Sequence, residues 1–302
     1  MYDSRDVRAT LASAGAGGLP APELLSSESV GLFYEETPQF DDDHGKTWLI
    51  RGQNFVIAYT EVAPGGTVSR IDHPDEYMAM VPDRETPAVL SAGTETNEID
   101  GYSMIVMPPG DSIITLTKGG RLVRVFSTNS EELNAQCANA DAYAEPRINV
   151  TPLTPWPDPK GGFKIRTYSL DVPQQEGRFG RIWRCTTVMI NVFDPQMGPR
   201  DTTRLSPHSH DDFEQASLVL GGTFAHHLRW PWTVDLASWR EDVHLDVKAP
   251  SVAVIPPPTI HTSRGTAAGA NDLVDIFSPP RLDFSMKENW VLNAEDYLLP
   301  NT

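Results

Sequence analysis

Cysteine is nearly missing from this 302-residue chain: Cys137 and Cys185 are the only two, far apart and in no CxxC pair. A disulfide framework is not expected at that count, and a reducing, cytoplasmic setting is the expectation. Basic residues are also few. The 24 Lys and Arg face 41 Asp and Glu, for a net charge of −17. A surface of that sign repels nucleic-acid phosphates and anionic membrane faces, although arginines inside a cleft can still hold a small anion. No apolar run is long enough to span a membrane. The first residues, MYDSRDVRATLASAGAGG, carry early acids and no apolar core of a signal peptide.

Proline and glycine are abundant by contrast, at 26 and 22, and they are scattered. Between them lie short segments rich in Val, Ile, Tyr and Phe, such as 47–51, 54–62, 103–107 and 121–127, with turn residues at 64–66, 108–110 and 118–120. Many short strands with frequent turns predict an all-β sandwich or barrel. Residues 129–144 favour helix. The stretch 151–162, TPLTPWPDPKGG, holds four prolines, which disfavour helix and interior strand alike. The expected organisation is an N-terminal arm (1–28), a first β domain (29–145), a linker (146–162) and a second β domain with a tail (163–302).

The two halves repeat each other. SMIVMPPGDSI (103–113) aligns with SVAVIPPPTIH (251–261) at an offset of 148, and RLVRVFSTN (121–129) with DLVDIFSPP (272–280). SRIDHPDEYMAMV (69–81) aligns with the segment after Thr203, placing His73 opposite His210 at an offset of 137. A repeat of this length is a duplicated domain. The extra length of the second copy falls in 230–242, which carries Trp230, Trp232 and Trp239, expected to pack or to wall a site.

The second copy contains PHSHDDFE, from Pro207 to Glu214. In a strand, residues two apart share a face, so His208 and His210 project together. Glu214 follows at the start of the next strand, and PPPTIH brings His261 to the end of another. Three imidazoles and a carboxylate suit one divalent transition metal per chain: Fe, Mn, Ni, Cu or Zn. The first copy has Ile71, His73, Tyr77 and Ile113 opposite these four, so its site is expected to be lost. A two-residue turn at Gly221-Gly222 predicts a hairpin that pairs Glu214 with Arg229 and Ala216 with His227. On that register His227 is a candidate general base, and Arg229, with Arg204, a candidate anchor for an anionic substrate. His226 and His244 are then structural.

The string HxH-x3-E-x6-G, from His208 through Glu214 to Gly221, resembles the first signature of the cupin superfamily. Pro256 through Pro258 to His261 is similar to the second, with Pro258 and Gly265 departing from the usual Gly and Asn, and Gly198 off the usual spacing of the first. With the repeat counted, the resemblance covers nearly the whole chain. It implies a bicupin: two double-stranded β-helix barrels in tandem, with the metal inside the mouth of the second. The implied activity is that of a metal-dependent dioxygenase on a small oxygenated or carboxylate-bearing metabolite. A non-redox metalloenzyme (isomerase, decarboxylase, lyase or aminohydrolase) and a metal-stabilised binding or regulatory protein are the alternatives. The expected partner is a small molecule, with an anionic one and a homo-oligomer both compatible.

Overall fold

A computed structural model describes residues 25–233 and 235–300; most of the expected arm, 1–24, lies outside the described residues. The rest forms two β barrels, each made of a larger and a smaller antiparallel sheet. In the first barrel the larger sheet runs, in spatial order, Arg166–Ser169, Ser103–Met107, Tyr77–Val81, Gly120–Ser127, Phe55–Val62, Gly45–Arg51 and Phe40–Asp42. Its smaller sheet runs Thr67–His73, Gly110–Leu116, Ala88–Ala92 and Glu95–Ile99. In the second barrel the larger sheet runs Ser29–Gly31, Ser251–Ile255, Gln215–Gly221, Ala270–Phe277, Met189–Val192 and Arg181–Arg184. The smaller one runs Val243–Lys248, Thr223–Arg229 and Ile260–Gly265.

The two larger sheets face each other, and this explains their sequence. Every residue of Tyr77–Val81, Ser103–Met107 and Ser251–Ile255 is buried. One face of each strand fills its own barrel, and the other meets the opposite sheet. Trp48, Tyr59, Met80 and Val125 of the first barrel join Trp183, Leu218, Val254 and Ile276 of the second in one inter-barrel core. Leu49, Ala79, Ile105 and Phe126 fill the first barrel's interior instead. Each such Leu, Ile, Val, Met or Phe side chain contributes about 1.5–3 kcal/mol on burial.

Two boundaries differ from the sequence expectation. Ser29–Gly31, expected in the first barrel, pairs with Ser251–Ile255 of the second. Arg166–Ser169, expected in the second, pairs with Ser103–Met107 of the first. Each segment closes an open edge of the other barrel's sheet, so the barrels are clasped by exchanged strands as well as by packing.

The predicted hairpin at Gly221-Gly222 does not form. Gln215–Gly221 pairs with Ser251–Ile255 and Ala270–Phe277, whereas Thr223–Arg229 pairs with Val243–Lys248 and Ile260–Gly265. The chain crosses here from the larger sheet to the smaller. Gly222 makes the crossing at φ 75°, where a Cβ would lie 2.5 Å from the Ala270 carbonyl oxygen. Larger side chains are thus doubly disfavoured.

Candidate metal centre

His208 and His261 form a cross-strand pair with reciprocal backbone hydrogen bonds of 3.0 and 2.7 Å, which puts both rings on one face. His210, two residues after His208, joins them. Ring centroids are 4.4 Å apart for His208–His261, 5.1 Å for His208–His210 and 5.2 Å for His210–His261. One nitrogen from each lies within 4.8 Å of the others, and among the described residues this is the one grouping of its kind. Nδ1 of His208 is 2.9 Å from the Ser206 carbonyl oxygen, and Nδ1 of His261 is 2.9 Å from that of Thr259. These bonds fix the tautomer and leave Nε2 as the donor, the arrangement that metal-binding imidazoles use. Nε2 of His261 is buried with no hydrogen-bond partner among the described residues. Burial lowers His210 to about 3 and His261 to about 4, so both rings are neutral near pH 7. The three rings therefore fit a divalent transition metal.

Glu214 is not part of this cluster. Along Gln215–Gly221 alternate residues face opposite ways: Ala216 and Leu218 enter the inter-barrel core, and Glu214 extends their row. Its carboxylate accepts from the Gln53 amide at 2.5 Å, from Tyr143 Oη at 3.1 Å and from Arg147 Nη1 at 2.5 Å. It is only 1% exposed, and Gly52 is needed beside it, since a Cβ there would lie 2.8 Å from Oε2. The side chain that points into the second barrel is Gln215, whose Oε1 lies 3.0 Å from His210 Nε2. A protonated Nε2 donates to this oxygen, and a deprotonated one leaves nitrogen and oxygen as two donor atoms side by side.

No protein-family model matches the chain, and no curated protein does. Solved structures do match across nearly its full length. AerE from Microcystis aeruginosa has 10% identity and a TM-score of 0.53, covering 81% of this chain and 97% of its own. The formate complex of Lactobacillus farciminis oxalate decarboxylase has 15% identity and a TM-score of 0.53, covering 87% and 90%. The Momordica charantia 7S globulin has 14% identity and a TM-score of 0.51, covering 87% and 85%. This chain has the bicupin fold.

Within this fold the histidines open onto a cavity of about 700 Å³. Phe179, Phe193, Phe277, Phe284 and Trp290 make its walls largely aromatic. Asp275 is its buried carboxyl group. A polar row leads to it from the metal cluster: Gln215 Nε2 donates to Ser217 Oγ at 3.0 Å, and Ser217 Oγ donates to Asp275 Oδ1 at 2.8 Å. Burial raises Asp275 to about 7, against the pull of Ser217 and Arg281. Arg281 also lines the cavity, ion-paired to Asp283 and stacked 3.8 Å above the Phe284 ring centroid. Arg200 braces the rim through the Ser263 carbonyl oxygen at 2.9 Å and Ser206 Oγ at 3.0 Å.

The expected substrate residues lie elsewhere. His227 does not line the cavity; its Nδ1 is 2.8 Å from His244 Nδ1, and Arg264 Nε donates to its Nε2 at 3.1 Å. Arg229 is exposed and paired with Asp242. Arg204 is exposed in the loop before the first histidine, outside the cavity lining. The physical reason is parity. With Thr223–Arg229 in the smaller sheet, Phe224, His226 and Leu228 turn inward, and Thr223, His227 and Arg229 do not. His226 is buried, 2.7 Å from Ser263 Oγ. Trp230 packs inward and donates to the Ser26 carbonyl oxygen, while Trp232 and Trp239 stack on each other at the surface. In the first barrel Ile71 and Ile113, opposite His208 and His261, are both exposed.

Sequence reasoning missed Gln215, Asp275 and Arg281. The available signal for Asp275 was LVDIF itself, an acid flanked on both sides by apolar residues within the strand Ala270–Phe277.

Proposed function

We propose that the chain is a metal-dependent, non-redox enzyme that cleaves or rearranges a small carboxylate-bearing metabolite with an apolar body, with decarboxylation the leading reaction. The observation that carries this is Asp275: a buried carboxyl group, hydrogen-bonded to Ser217 and raised by burial to about 7, in the same cavity as the three-histidine cluster. A metal held by His208, His210 and His261, with Gln215 Oε1 beside them, would supply Lewis-acid stabilisation of charge developing on a substrate oxygen. Arg281 would anchor the carboxylate, and the aromatic walls would hold the body and exclude water. In decarboxylation the bond to the carboxyl carbon breaks, carbon dioxide leaves, and the electron pair stays on the remaining carbon. That carbon then takes the proton from Asp275, and Ser217 orients the carboxyl group for the transfer.

A dioxygenase, the activity expected from the family resemblance, has less support. A proton-bearing carboxyl group serves protonation directly, and a protein sharing this fold is an oxalate decarboxylase. The cavity is larger than a two-carbon acid needs, which favours a bulkier substrate. The test is a panel of 2-oxo and 3-oxo acids with metal-loaded protein, following carbon dioxide release and oxygen uptake together. Carbon dioxide release that persists under anaerobic conditions is expected. Oxygen consumed one for one with substrate would establish the oxygenase instead.

A further inference from the structure

The first barrel has a cavity of its own, about 420 Å³, and it contains a buried arginine with no acidic partner among the described residues. Arg124 lies in the middle of Gly120–Ser127, between Ala58 and Ala79 on the neighbouring strands, and these small residues leave its side chain room inside the barrel. It is 8% exposed. Its Nε has no hydrogen-bond partner, and Nη2 makes one long bond, 3.4 Å, to Thr60 Oγ1. The Phe126 ring, 5.6 Å from the guanidinium carbon, offers weak compensation. The other cation facing the cavity, Arg70, is already paired with Glu132 and donates Nε to His73 Nδ1 at 3.3 Å. The acids at the cavity are this Glu132 and exposed Asp42, which accepts from the His44 amide. Burial and the nearby Arg70 together pull Arg124 down to about 10.

A buried charge left without a partner is costly, and chains retain one where something compensates it. The strand repeat sharpens the point. Arg124 sits opposite Ala79 as Asp275 sits opposite Ser217, so the two barrels place a basic and an acidic side chain at one equivalent position. Thr47 and Thr60, hydroxyl to hydroxyl at 2.9 Å, supply further donors beside the guanidinium. Leu49, Val68 and Leu133 supply apolar wall.

We infer that the first barrel is a binding site for a small organic carboxylate, with Arg124 clamping the anion and the Thr47–Thr60 pair completing its hydrogen bonds. A planar fork of donors in an apolar cavity fits a carboxylate with a short apolar body. The site does not depend on the metal centre or on the reaction proposed for it.

Calorimetric titration of the metal-loaded full chain with acetate, benzoate and inorganic phosphate tests this. A carboxylate should bind with an equivalent that is weakened about tenfold or more in Arg124→Met, whose charge-assisted bonds are gone, and that survives in Arg281→Met, which lies outside the first barrel's cavity. Without ligand, Arg124→Met should melt no lower than wild type, because an uncompensated buried charge has been replaced by an apolar side chain. If Arg124→Met does not fold, the Thr47→Val/Thr60→Val variant, which keeps the arginine, should weaken the same equivalent. Carboxylate affinity unchanged in Arg124→Met, or in the double threonine variant where that is the one measured, would overturn the site. Binding of phosphate alone would overturn the carboxylate assignment.

Discussion

Glu76 and Glu214 occupy the same position in the two barrels, and each crosses to the other barrel. Glu214 takes the Gln53 amide, Tyr143 and Arg147. Glu76, fully buried, accepts from the Thr186 amide at 3.2 Å and Tyr297 Oη at 3.1 Å, with Arg166 Nη1 3.8 Å away. The carboxylate that reads as a metal ligand is thus one of a pair of inter-barrel ties.

Removing Glu214 should therefore cost stability and spare the metal. Glu214→Ala leaves Arg147 buried without its partner, a loss of about 3–5 kcal/mol. Denaturant unfolding measures it, and elemental analysis should still find metal in the folded variant.

Metal should bind at one equivalent per chain, in the second barrel. Elemental analysis should show it lost in a His208→Ala/His261→Ala variant and weakened in Gln215→Ala. Two equivalents in the wild type would count against a first barrel without metal.

Asp275 predicts a pH signature. Its carboxyl group titrates near 7 in the fold and near 4 when unfolded. Its stabilising contribution is complete below about pH 4 and is lost as pH rises through about 7, a change on the order of 4 kcal/mol. Buried His73, lowered to about 3, acts in the opposite direction, losing stability as pH falls below about 6.5. Comparing Asp275→Asn with wild type isolates the aspartate: the difference between their unfolding free energies should vary across pH 4–7. Turnover in wild type should fall above about pH 7, and Asp275→Asn should lose turnover with its metal retained.

Arg281 and Arg229 should behave differently. Arg281→Met should raise KM about tenfold or more, the loss expected for one charged hydrogen-bonding partner. Arg229→Met, removing an exposed pair with Asp242, should leave kcat and KM at wild-type values.

The sequence by itself carried the duplication, the β texture and the three histidines. These follow from local rules: apolar strands repeat at a fixed offset, and residues two apart on a strand share a face. Pairing decided what those rules could not. Strand partners put Tyr77 opposite Met107 and Gln215 opposite Ile255, so the repeat offset at that strand is 138 rather than 137. One residue of slip turns every side chain to the other face, and it exchanges Glu214 for Gln215 in the cavity. A glycine pair that reads as a tight hairpin instead carries the chain between sheets, which turns His226 inward and leaves His227 and Arg229 outside the cavity. Asp275 and Arg281 join the site through contacts far apart in sequence. Only the closed barrel, with a second barrel covering its outer face, determines which side of each strand is interior.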